Sequence, residues 1–337
     1  MIMSRTPMRI SLFGGGTDYP TWYLEHGGAV LGMTIDKYCY ISFRTPPPFF
    51  GHRHRIVYSR IESTQRIEEI QHPAVRCVLM EYGVAEGVEI QYHGDLPARA
   101  GMGSSSSFTV GLLNALRAHR GHVSSAGWLA AEAIRIEQEI IKEAVGSQDQ
   151  IWAAYGGTNL IRFHSDGRFD VVPVVMTPQR RSELQSHLLL FFTGLSRTAE
   201  TIAARKIENL LSRRSQLTCM QKMAVHALGI LQNPLRPITE IGGLLSESWK
   251  LKKELATCVS TSSIDDMYSA AMDAGAIGGK LLGAGGGGFM LFFAEPHTHE
   301  RIREALRGLV EVSFEIGSPG SRIVIDESKE LGAVACH

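Results

Sequence analysis

The chain has 337 residues, more than one hydrophobic core usually organises, and 44% of them are hydrophobic, so we expect two folded domains. Lys plus Arg and Asp plus Glu each number 34. This balance excludes a bulk electrostatic attraction to nucleic acid or to anionic lipid. Any anion-binding site must therefore be local.

The cysteines and the apolar segments indicate where the protein works. Five cysteines are scattered along the chain and never form C-x-x-C, which disfavours both a disulfide framework and a zinc site. The N-terminus has no leading hydrophobic region, and no apolar run approaches the roughly 18 to 20 residues of a membrane span. We therefore predict a cytoplasmic protein that binds neither membrane nor nucleic acid.

The N-terminal half begins as sheet. Residues 8–13 alternate polar and apolar side chains like a half-buried strand, and this run breaks at three glycines before Thr17 and Asp18. The other elements predicted in this half are strands over 29–43, 88–92 and 158–163, and helices over 108–116, 125–145 and 147–155.

The most informative segment runs from Asp95 to Ser107, where glycines open a serine run that leads into an amphipathic helix. Gly101 and Gly103 can adopt positive φ, and the free amides and partial positive charge of a helix start attract anions. The alternative is a flexible Gly/Ser linker, but the helical spacing of the next residues disfavours it. We interpret the segment as a phosphate-binding loop.

Glu137 lies on the apolar stripe of its predicted helix, four residues from both Ala133 and Ile141. A buried carboxylate is costly unless a cation or a basic side chain compensates it. Mg²⁺ prefers one or two protein oxygens together with phosphate oxygens, so a serine hydroxyl of the phosphate loop and Glu137 would form such a pair. An ion pair with an arginine is the alternative.

A composition change at residues 177–182 indicates the domain boundary, giving an N-terminal domain over 1–178 with the phosphate loop and a C-terminal domain over 179–337. The second domain is predicted to be an α+β sandwich. Its predicted elements are helices over 198–231, 237–256 and 264–274, then strand, strand, helix and strand over 279–316, with the clearest strands at 188–193, 289–293 and 312–316.

A third glycine cluster, residues 278–288, contains a literal G-x-G-x-x-G from Gly283 to Gly288. The dinucleotide fingerprint opens a helix, whereas this cluster opens a strand, and the serine loop lacks the lysine of a Walker A motif. Neither nucleotide fold, nor an oxidoreductase, is predicted. The cluster indicates close backbone approach to phosphates or to the other domain, with a hairpin turn as the alternative.

Other charged residues also have interpretations that involve no function. Asp149 could be an acid favoured by a helix N-terminus, and Arg9 with Asp18 could be a surface ion pair of little energetic value. The cluster from His52 to Arg55 could be a solvated loop or an edge strand, or it could bind a substrate phosphate.

Three blocks, residues 7–18, 97–106 and 280–288, resemble in order the motifs of the GHMP kinases, named for galacto-, homoserine, mevalonate and phosphomevalonate kinases. The nine-residue step from Arg9 to Asp18 and the twelve-residue step from Glu137 to Asp149 are similar to those of galactokinases. The resemblance implies an α+β, two-domain GHMP kinase fold. Its N-terminal domain would be like ribosomal protein S5 domain 2 and its C-terminal domain a ferredoxin-like α/β sandwich.

The resemblance also implies residue roles, with ATP and Mg²⁺ as cofactors. Asp149 would face the acceptor hydroxyl, and Arg9 would stabilise charge. The implied binding residues are Gly101, Gly103, Ser104, Ser105, Ser106, Gly285 and Gly286 for the nucleotide, Gly16, Thr17 and Asp18 for the sugar, and Ser105 with Glu137 for the metal.

Within the family the chain looks most like the D-glycero-D-manno-heptose 7-phosphate kinases, which it resembles at the Gly146–Gln150 turn and at Thr193–Arg197. This implies phosphorylation of the anomeric hydroxyl of that sugar phosphate. The alternatives are a kinase of fucose or another free hexose, and a non-catalytic sensor of sugar and ATP. Glycines at 15 and 16, where galactokinases carry Glu-His, disfavour galactose.

Three points stay open in the sequence. Whether Ser196 or Thr198 lies near the acceptor is undecided, and a homodimer is one alternative for the oligomeric state. A heptose 7-phosphate also requires a second anion site. The candidates for it are Arg53, Arg55, Lys250 and Lys252.

Overall fold

The structure is a computed structural model that describes residues 1–98, 100–194, 211–256 and 258–327. Its strands, in chain order, are β1 Ile2–Phe13, β2 Gly28–Arg44, β3 His54–Val57, β4 Ile61–Thr64, β5 Val88–Gly94, β6 Thr158–Phe163, β7 Phe169–Pro173, β8 Leu188–Phe192, β9 Ala276–Leu281, β10 Phe289–Ala294, β11 Val310–Glu311 and β12 Arg322–Asp326.

The helices lie between and beside these strands. They are α1 Pro20–His26, α2 Pro73–Glu81, α3 Ser104–His119, α4 Ala126–Arg135, α5 Gln148–Tyr155, α6 Pro178–Ser186, α7 Arg214–Gln232, α8 Thr239–Leu255, α9 Ser262–Asp273 and α10 His299–Ala305. A π-helical turn, Ile136–Ile140, continues α4.

Two sheets organise the chain. The larger has eight strands in the order β12-β1-β2-β5-β3-β4, with β6 pairing with β2 and β7 pairing with β6. The smaller has four antiparallel strands in the order β11-β8-β10-β9. The mixture of helices and sheets in two layers agrees with the predicted α+β class.

Strand β1 places the residues of the site. Because successive side chains of a strand point to opposite faces, Met8, Ile10 and Leu12 enter a core that also contains Leu190 and Leu291 of the smaller sheet. The intervening side chains of β1 lie on the other face. The strand thus joins the core of one sheet to that of the other and turns its polar side chains outward from that core.

The predicted strands at 8–13, 29–43, 88–92 and 158–163 are confirmed, the second as one continuous strand. The serine run is itself the first turn of α3, so this helix begins earlier than the predicted residue 108. The predicted helix over 198–231 is confirmed from Arg214 onward, whereas residues 198–210 lie outside the described residues.

The predicted helix over 125–145 is wrong at its C-terminal end. The chain leaves the helix after the π turn, and Lys142 has a φ of 62°. Gly146 therefore does not end a helix. A Cβ there would lie 1.9 Å from Oδ2 of Asp18, so only glycine allows the approach of these two segments.

The predicted strand over 312–316 is also wrong. The pairing with β8 covers Val310 and Glu311 and ends with a hydrogen bond from the N–H of Val312 to the carbonyl of Leu190 (2.8 Å). Ile316 instead forms an isolated bridge with Ile35 of the larger sheet. Phe314 and Ile316 are each 8% exposed, so their apolar spacing reflects packing of an extended segment against the core. The chain then adds β12 to the larger sheet beside β1. The domain boundary at residue 178 stays a prediction.

Thr34 of β2 hydrogen-bonds the segment that precedes β12 and so holds it against the larger sheet. Its hydroxyl oxygen accepts a hydrogen bond from the backbone N–H of Gly157 (2.8 Å) and donates to the carbonyl of Ser318. The side chain is fully buried. Thr34→Val removes both of these hydrogen bonds, although the N–H of Gly157 and the carbonyl of Ser318 stay bonded to each other (2.7 Å). We therefore expect it to lower the free energy of unfolding by roughly 0.5–1.5 kcal/mol.

Urea unfolding measures this change, and Thr34→Ser, which keeps the hydroxyl, is the matched control. We expect the control to retain most of the stability. Equal midpoints for the valine variant and the unmodified protein would contradict the proposed role of this hydroxyl.

Candidate active site

A cavity of about 240 Å³ lies where segments remote along the chain meet. Its walls come from β1 and the turn after it, the N-terminus of α3, residues 143–149, and residues of the C-terminal half. Among the residues that line it are Arg9, Ser11, Gly15, Gly16, Asp18, Tyr19, Gly101, Gly103, Ser104, Ser105, Ser106, Glu143, Gln148, Asp149, Lys252, Lys280, Gly283 and Ala284.

The N-terminus of α3 forms one wall. Gly101 and Gly103 have the predicted positive φ angles, 82° and 75°, and Gly103 caps the helix. The hydroxyls and backbone amides of Ser104, Ser105 and Ser106 follow in the first turn. Backbone N–H groups without intrahelical partners at a helix start favour an anion, so this wall suits phosphate.

The third glycine cluster packs against this loop. A Cβ on Gly283 would lie 2.4 Å from the Cα of Gly101, so the two loops meet backbone to backbone. Gly283 and Ala284 line the cavity, whereas Gly285 and Gly286 pack against Val259. The cluster also connects the antiparallel strands β9 and β10, so the hairpin turn given as the alternative is present together with the contact to the other half of the chain. Nucleotide contact by Gly285 and Gly286 stays a prediction.

Arg9 and Asp149 form a bidentate ion pair in the cavity wall. Nε of Arg9 donates to Oδ1 of Asp149 (2.7 Å), and Nη2 donates to Oδ2 (2.6 Å). The Arg9 side chain is 6% exposed, and its Nη1 also donates to the carbonyl of Gly101 (2.6 Å). Arg9 therefore pairs with Asp149 and not, as a surface pair, with Asp18.

Asp18 lies at the end of the turn that follows β1. Its Oδ1 accepts from the backbone N–H of Gly16 and its Oδ2 from Nε2 of Gln148, both at 2.8 Å. Only 2% of the residue is exposed, yet it lines the cavity. The neighbouring Tyr19 lines it too, and burial, with the charge of Asp18, raises the pKa of its phenol.

Thr17 does not line the cavity, in contrast to the prediction that it contacts the sugar. Its side chain is fully buried, and its hydroxyl donates to the carbonyl of Gly14 (2.8 Å) while it accepts from the backbone N–H of Ala29 (3.1 Å). The threonine thus stabilises the turn that positions Asp18. The hydroxyl uses its only donor on the backbone, and the side chain is fully buried away from the cavity.

Glu137 lies behind the first turn of α3 and is 1% exposed. Its Oε2 accepts from the hydroxyl of Ser106 (2.9 Å) and from the amide of Gln150. Its Oε1 makes no hydrogen bond of normal geometry among the described residues, although the hydroxyl of Thr109 lies close enough to lower the pKa of the carboxyl. Burial raises the pKa of this carboxyl to about 7. The predicted alternative, an ion pair between Glu137 and an arginine, is not formed among the described residues.

Among the serines of the loop, Ser106 contacts Glu137 directly, and joint metal binding by Ser105 and Glu137 stays a prediction. Neighbouring residues of a helix point in different directions, so Ser106 turns inward while Ser105 is exposed at the cavity wall. A metal ion bound by both Ser105 and Glu137 would therefore receive the Ser105 hydroxyl and the Glu137 carboxylate from different sides of the turn.

The residues fit a Mg²⁺ ion that is bound mainly by phosphate. The unpartnered Oε1 of Glu137 is a buried oxygen that requires a proton or a cation. The described residues contain no cluster of three His, Cys, Asp or Glu side chains suited to a metal. A site with few protein oxygens is what Mg²⁺ uses when nucleotide phosphates and water complete its shell.

Two lysines of the C-terminal half line the cavity. Lys280 donates to the carbonyls of Ser11 (3.0 Å) and Leu12 (2.8 Å), and Lys252 donates to the carbonyls of Leu281 (2.6 Å) and Gly283 (2.7 Å). The sequence contained a signal for Lys252, because it lies on the same helix face as the buried Leu245 and Trp249 of α8 and thus repeats the pattern of Glu137.

The other predicted candidates for a second anion site do not line the cavity. Arg55 pairs with the buried Glu89 at 2.8 Å, Arg53 contacts the carbonyl of Ala85, and Lys250 is exposed. The cavity lining also includes Ser11, Tyr19, Glu143 and Gln148, which were not predicted as site residues. Ser196 and Thr198 lie outside the described residues, as do Leu195 and Arg197 of the segment that resembled heptose kinases.

Comparison with known proteins identifies the family. A family model described as the GHMP kinases N terminal domain matches residues 68–157, and a second, GHMP kinases C terminal, matches residues 229–312. The chain belongs to the GHMP kinase family. It is a phosphotransferase with the GHMP kinase fold, as the resemblance implied, and kinases of this family depend on ATP.

Among its relatives is the D-glycero-alpha-D-manno-heptose 7-phosphate kinase of Campylobacter jejuni, which is 29% identical over 91% of this chain and 93% of its own length. The bifunctional fucokinase/GDP-fucose pyrophosphorylase of Arabidopsis thaliana is 27% identical over 90% of this chain, which spans 31% of that larger protein. The chain is therefore similar to sugar kinases with different acceptors.

A crystal structure of a D-glycero-D-manno-heptose 1-phosphate kinase from Bacteroides thetaiotaomicron has the same fold. It superimposes with a TM-score of 0.79 over 97% of this chain and 99% of that chain, at 23% identity. Within the described residues, no helix combines the length and the apolar character needed to cross a bilayer.

The buried carboxyl of Glu137 should make the free energy of unfolding depend on pH. The pKa of its carboxyl rises on folding from 4.5 to about 7, so between these values the folded chain keeps a proton that the unfolded chain has lost. This contribution to stability is therefore present below pH 4.5 and is lost as the pH rises through 7. Glu137→Gln removes the titration and should gain roughly 2–3 kcal/mol relative to the unmodified protein between pH 5 and pH 8.

Urea unfolding at both pH values, without divalent cations, measures this difference. The matched control is Glu139→Gln, since Glu139 is exposed two residues away, and we expect it to show no such trend. A stability difference for Glu137→Gln that stays constant from pH 5 to pH 8 would show that this carboxyl titrates normally.

Proposed function

We propose that the protein is an ATP-dependent sugar kinase that transfers the γ-phosphate to the anomeric hydroxyl of D-glycero-D-manno-heptose 7-phosphate, giving the 1,7-bisphosphate. The observation that carries the proposal is the bidentate pair of Arg9 and Asp149 in a cavity whose adjoining wall is the N-terminus of α3. The similarity to a heptose 7-phosphate kinase over most of both chains supports the choice of acceptor.

The nucleotide phosphates would bind at the N-terminus of α3. Gly101 and Gly103 bring backbone to the cavity surface, and Ser104, Ser105 and Ser106 supply amides and hydroxyls. The helix start adds partial positive charge. The γ-phosphate of ATP would then point toward the Arg9–Asp149 pair, because Nη1 of Arg9 contacts the carbonyl of Gly101.

Asp149 would accept the proton of the acceptor hydroxyl as its oxygen attacks the γ-phosphorus. The new bond joins the sugar oxygen to phosphorus, and the bond from phosphorus to the bridging oxygen of ADP breaks. Arg9 holds the carboxylate in place with two hydrogen bonds and lies beside the charge that develops on the transferred group. Phosphoryl transfer depends mainly on such positioning and charge neutralisation, so no phospho-enzyme is required.

Glu137, with a serine hydroxyl of the α3 turn, would hold Mg²⁺. When bound, Mg²⁺ neutralises charge on the nucleotide phosphates. The support for this part is the unpartnered Oε1 of Glu137. Asp18 and the backbone of Gly16 would bind hydroxyls of the sugar, since both line the cavity beside Asp149.

The second candidate function is the same transfer to fucose or another free hexose. The relative from Arabidopsis thaliana, named a bifunctional fucokinase, favours it, although the chain spans only 31% of that protein. A non-catalytic sensor of sugar and ATP is less well supported, because sensing alone requires no carboxylate fixed by an arginine within the cavity.

Phosphorus NMR of the protein with ATP, Mg²⁺ and one sugar at a time tests the acceptor. With heptose 7-phosphate we expect a new anomeric phosphate signal together with ADP. A signal with fucose and none with heptose 7-phosphate would establish the second candidate. If none of the sugars in the panel supports ADP formation, both candidates are overturned.

Asp149→Asn tests the chemical role. The amide keeps the shape of the side chain but cannot accept the hydroxyl proton, so we expect kcat to fall by roughly 10²- to 10⁴-fold while the protein still binds ATP. Coupled ADP release measures kcat, and fluorescence titration measures ATP binding.

The matched control for this substitution is Asp266→Asn, because Asp266 is exposed on α9 and lies outside the cavity lining. It should turn over normally. Full turnover by Asp149→Asn would refute the proton-accepting role. Loss of both ATP binding and turnover would indicate that the substitution disrupts the folded site, and Arg9→Lys, which breaks the same ion pair, should then show the same loss.

A further inference from the structure

We infer that Gln148 is a substrate-binding residue that recognises a hydroxyl of the acceptor sugar, with Ser11 and Asp18 orienting its amide. This inference rests on the proposed sugar kinase function. Gln148 is the first residue of α5, directly before Asp149, and its side chain lines the cavity. Its position beside the carboxylate that faces the acceptor makes it a candidate for setting sugar specificity.

The orientation of the amide is determined by its neighbours. The hydroxyl of Ser11 donates to Oε1 of Gln148, and Nε2 donates to Oδ2 of Asp18, both at 2.8 Å. An ionised carboxylate only accepts hydrogen bonds, so the nitrogen must face Asp18 and the oxygen must face Ser11. The amide therefore presents one defined pattern of donors and acceptors to the cavity.

Both neighbours are themselves fixed. Oδ1 of Asp18 accepts from the backbone N–H of Gly16, and the segment that carries Gly146 packs directly against Oδ2. The carbonyl of Ser11 accepts from Nζ of Lys280. Since each partner is held by a separate contact, the amide of Gln148 is preorganised and loses little freedom when it binds a ligand.

The amide has hydrogen-bonding capacity left over. A primary amide has two N–H donors and an oxygen with two lone pairs, and Ser11 and Asp18 use one of each. Among the described residues, neither the second N–H nor the second lone pair of Gln148 has a protein partner. A sugar hydroxyl both donates and accepts, so it is the chemical group that this pair of free positions fits.

Gly15 keeps the space in front of the amide open. It lines the cavity, and a Cβ built on it would lie 3.7 Å from Oγ of Ser11 and 3.9 Å from Nε2 of Gln148. These are ordinary van der Waals distances, so alanine fits here without moving either side chain. Its methyl group would cover the amide from the cavity side, which blocks the ligand position while the protein contacts remain intact.

The experiment compares the KM for the acceptor sugar with the KM for ATP. Gln148→Met keeps the length of the side chain without its hydrogen bonds, and we expect it to raise the KM for the sugar roughly 10- to 100-fold with the KM for ATP unchanged. Gly15→Ala should change the same constant in the same direction. The exposed Gln179 of α6 gives the matched control, Gln179→Met, which should change neither constant.

Ser11→Ala tests the orienting role. Because Ser11 acts through the amide, its loss should raise the KM for the sugar by about 3- to 10-fold alone and add little to Gln148→Met in the double variant. Full additivity of the two substitutions would show that Ser11 acts separately from Gln148. Equal effects of Gln148→Met on both KM values, or no effect on either, would overturn the inference.

The unmodified protein separates this inference from the proposed function. If it phosphorylates fucose or another hexose and not heptose 7-phosphate, the proposed acceptor is wrong, and the same variants measured with that hexose still decide the role of Gln148. If it phosphorylates no sugar of the panel, both the function and the inference are overturned.

Discussion

The bidentate ion pair between Arg9 and Asp149 is the constraint on which the site depends. It joins β1 to α5 across 140 positions of sequence, and the remaining guanidinium nitrogen extends the contact to the carbonyl of Gly101. The planar fork of arginine satisfies two carboxylate oxygens at once, which the single ammonium of lysine cannot do. One side chain therefore sets the distance between the phosphate loop and the carboxylate that would face an acceptor.

Burial makes this arrangement stringent. The Arg9 side chain is 6% exposed, so removal of Asp149 would leave a nearly buried charge without its main partner. The same reasoning applies to Glu137, whose carboxyl has a pKa of about 7 because it is buried with one oxygen unpartnered. Around the cavity, ionisable side chains are thus held in a low dielectric by fixed geometry.

The sequence predicted the elements whose signal is local. Strand β1, helix α3 and the positive φ angles at Gly101 and Gly103 follow from alternation, helical spacing and the properties of glycine. Glu137 was identifiable because a carboxylate on an apolar stripe requires compensation. Lys252, predicted only as one of four candidates for a second anion site, carries the same signal on α8.

The remainder depends on individual hydrogen bonds that neither periodicity nor residue type predicts. The helix that begins after Ser125 ends at a π turn, where the backbone N–H of Glu143 donates to the carbonyl of Glu137 (2.8 Å). The spacing of hydrophobic residues does not predict this hydrogen bond. Thr17 looked like a ligand-binding residue beside Asp18, but its hydroxyl is turned to the backbone of Gly14 and Ala29. Proximity in sequence predicted the turn and not the direction of each side chain.

The glycine clusters acquire a common explanation from the contact between the two halves of the chain. Gly101 and Gly283 touch through their backbones, which any Cβ would prevent, and Lys252 holds the carbonyl of Gly283 while Lys280 holds that of Ser11. Buried backbone carbonyls at such a junction require donors, and the lysines supply them. Residues of the C-terminal half thus fix both the phosphate loop, through Gly283, and the acceptor side, through Lys280, so the cavity requires both halves in contact.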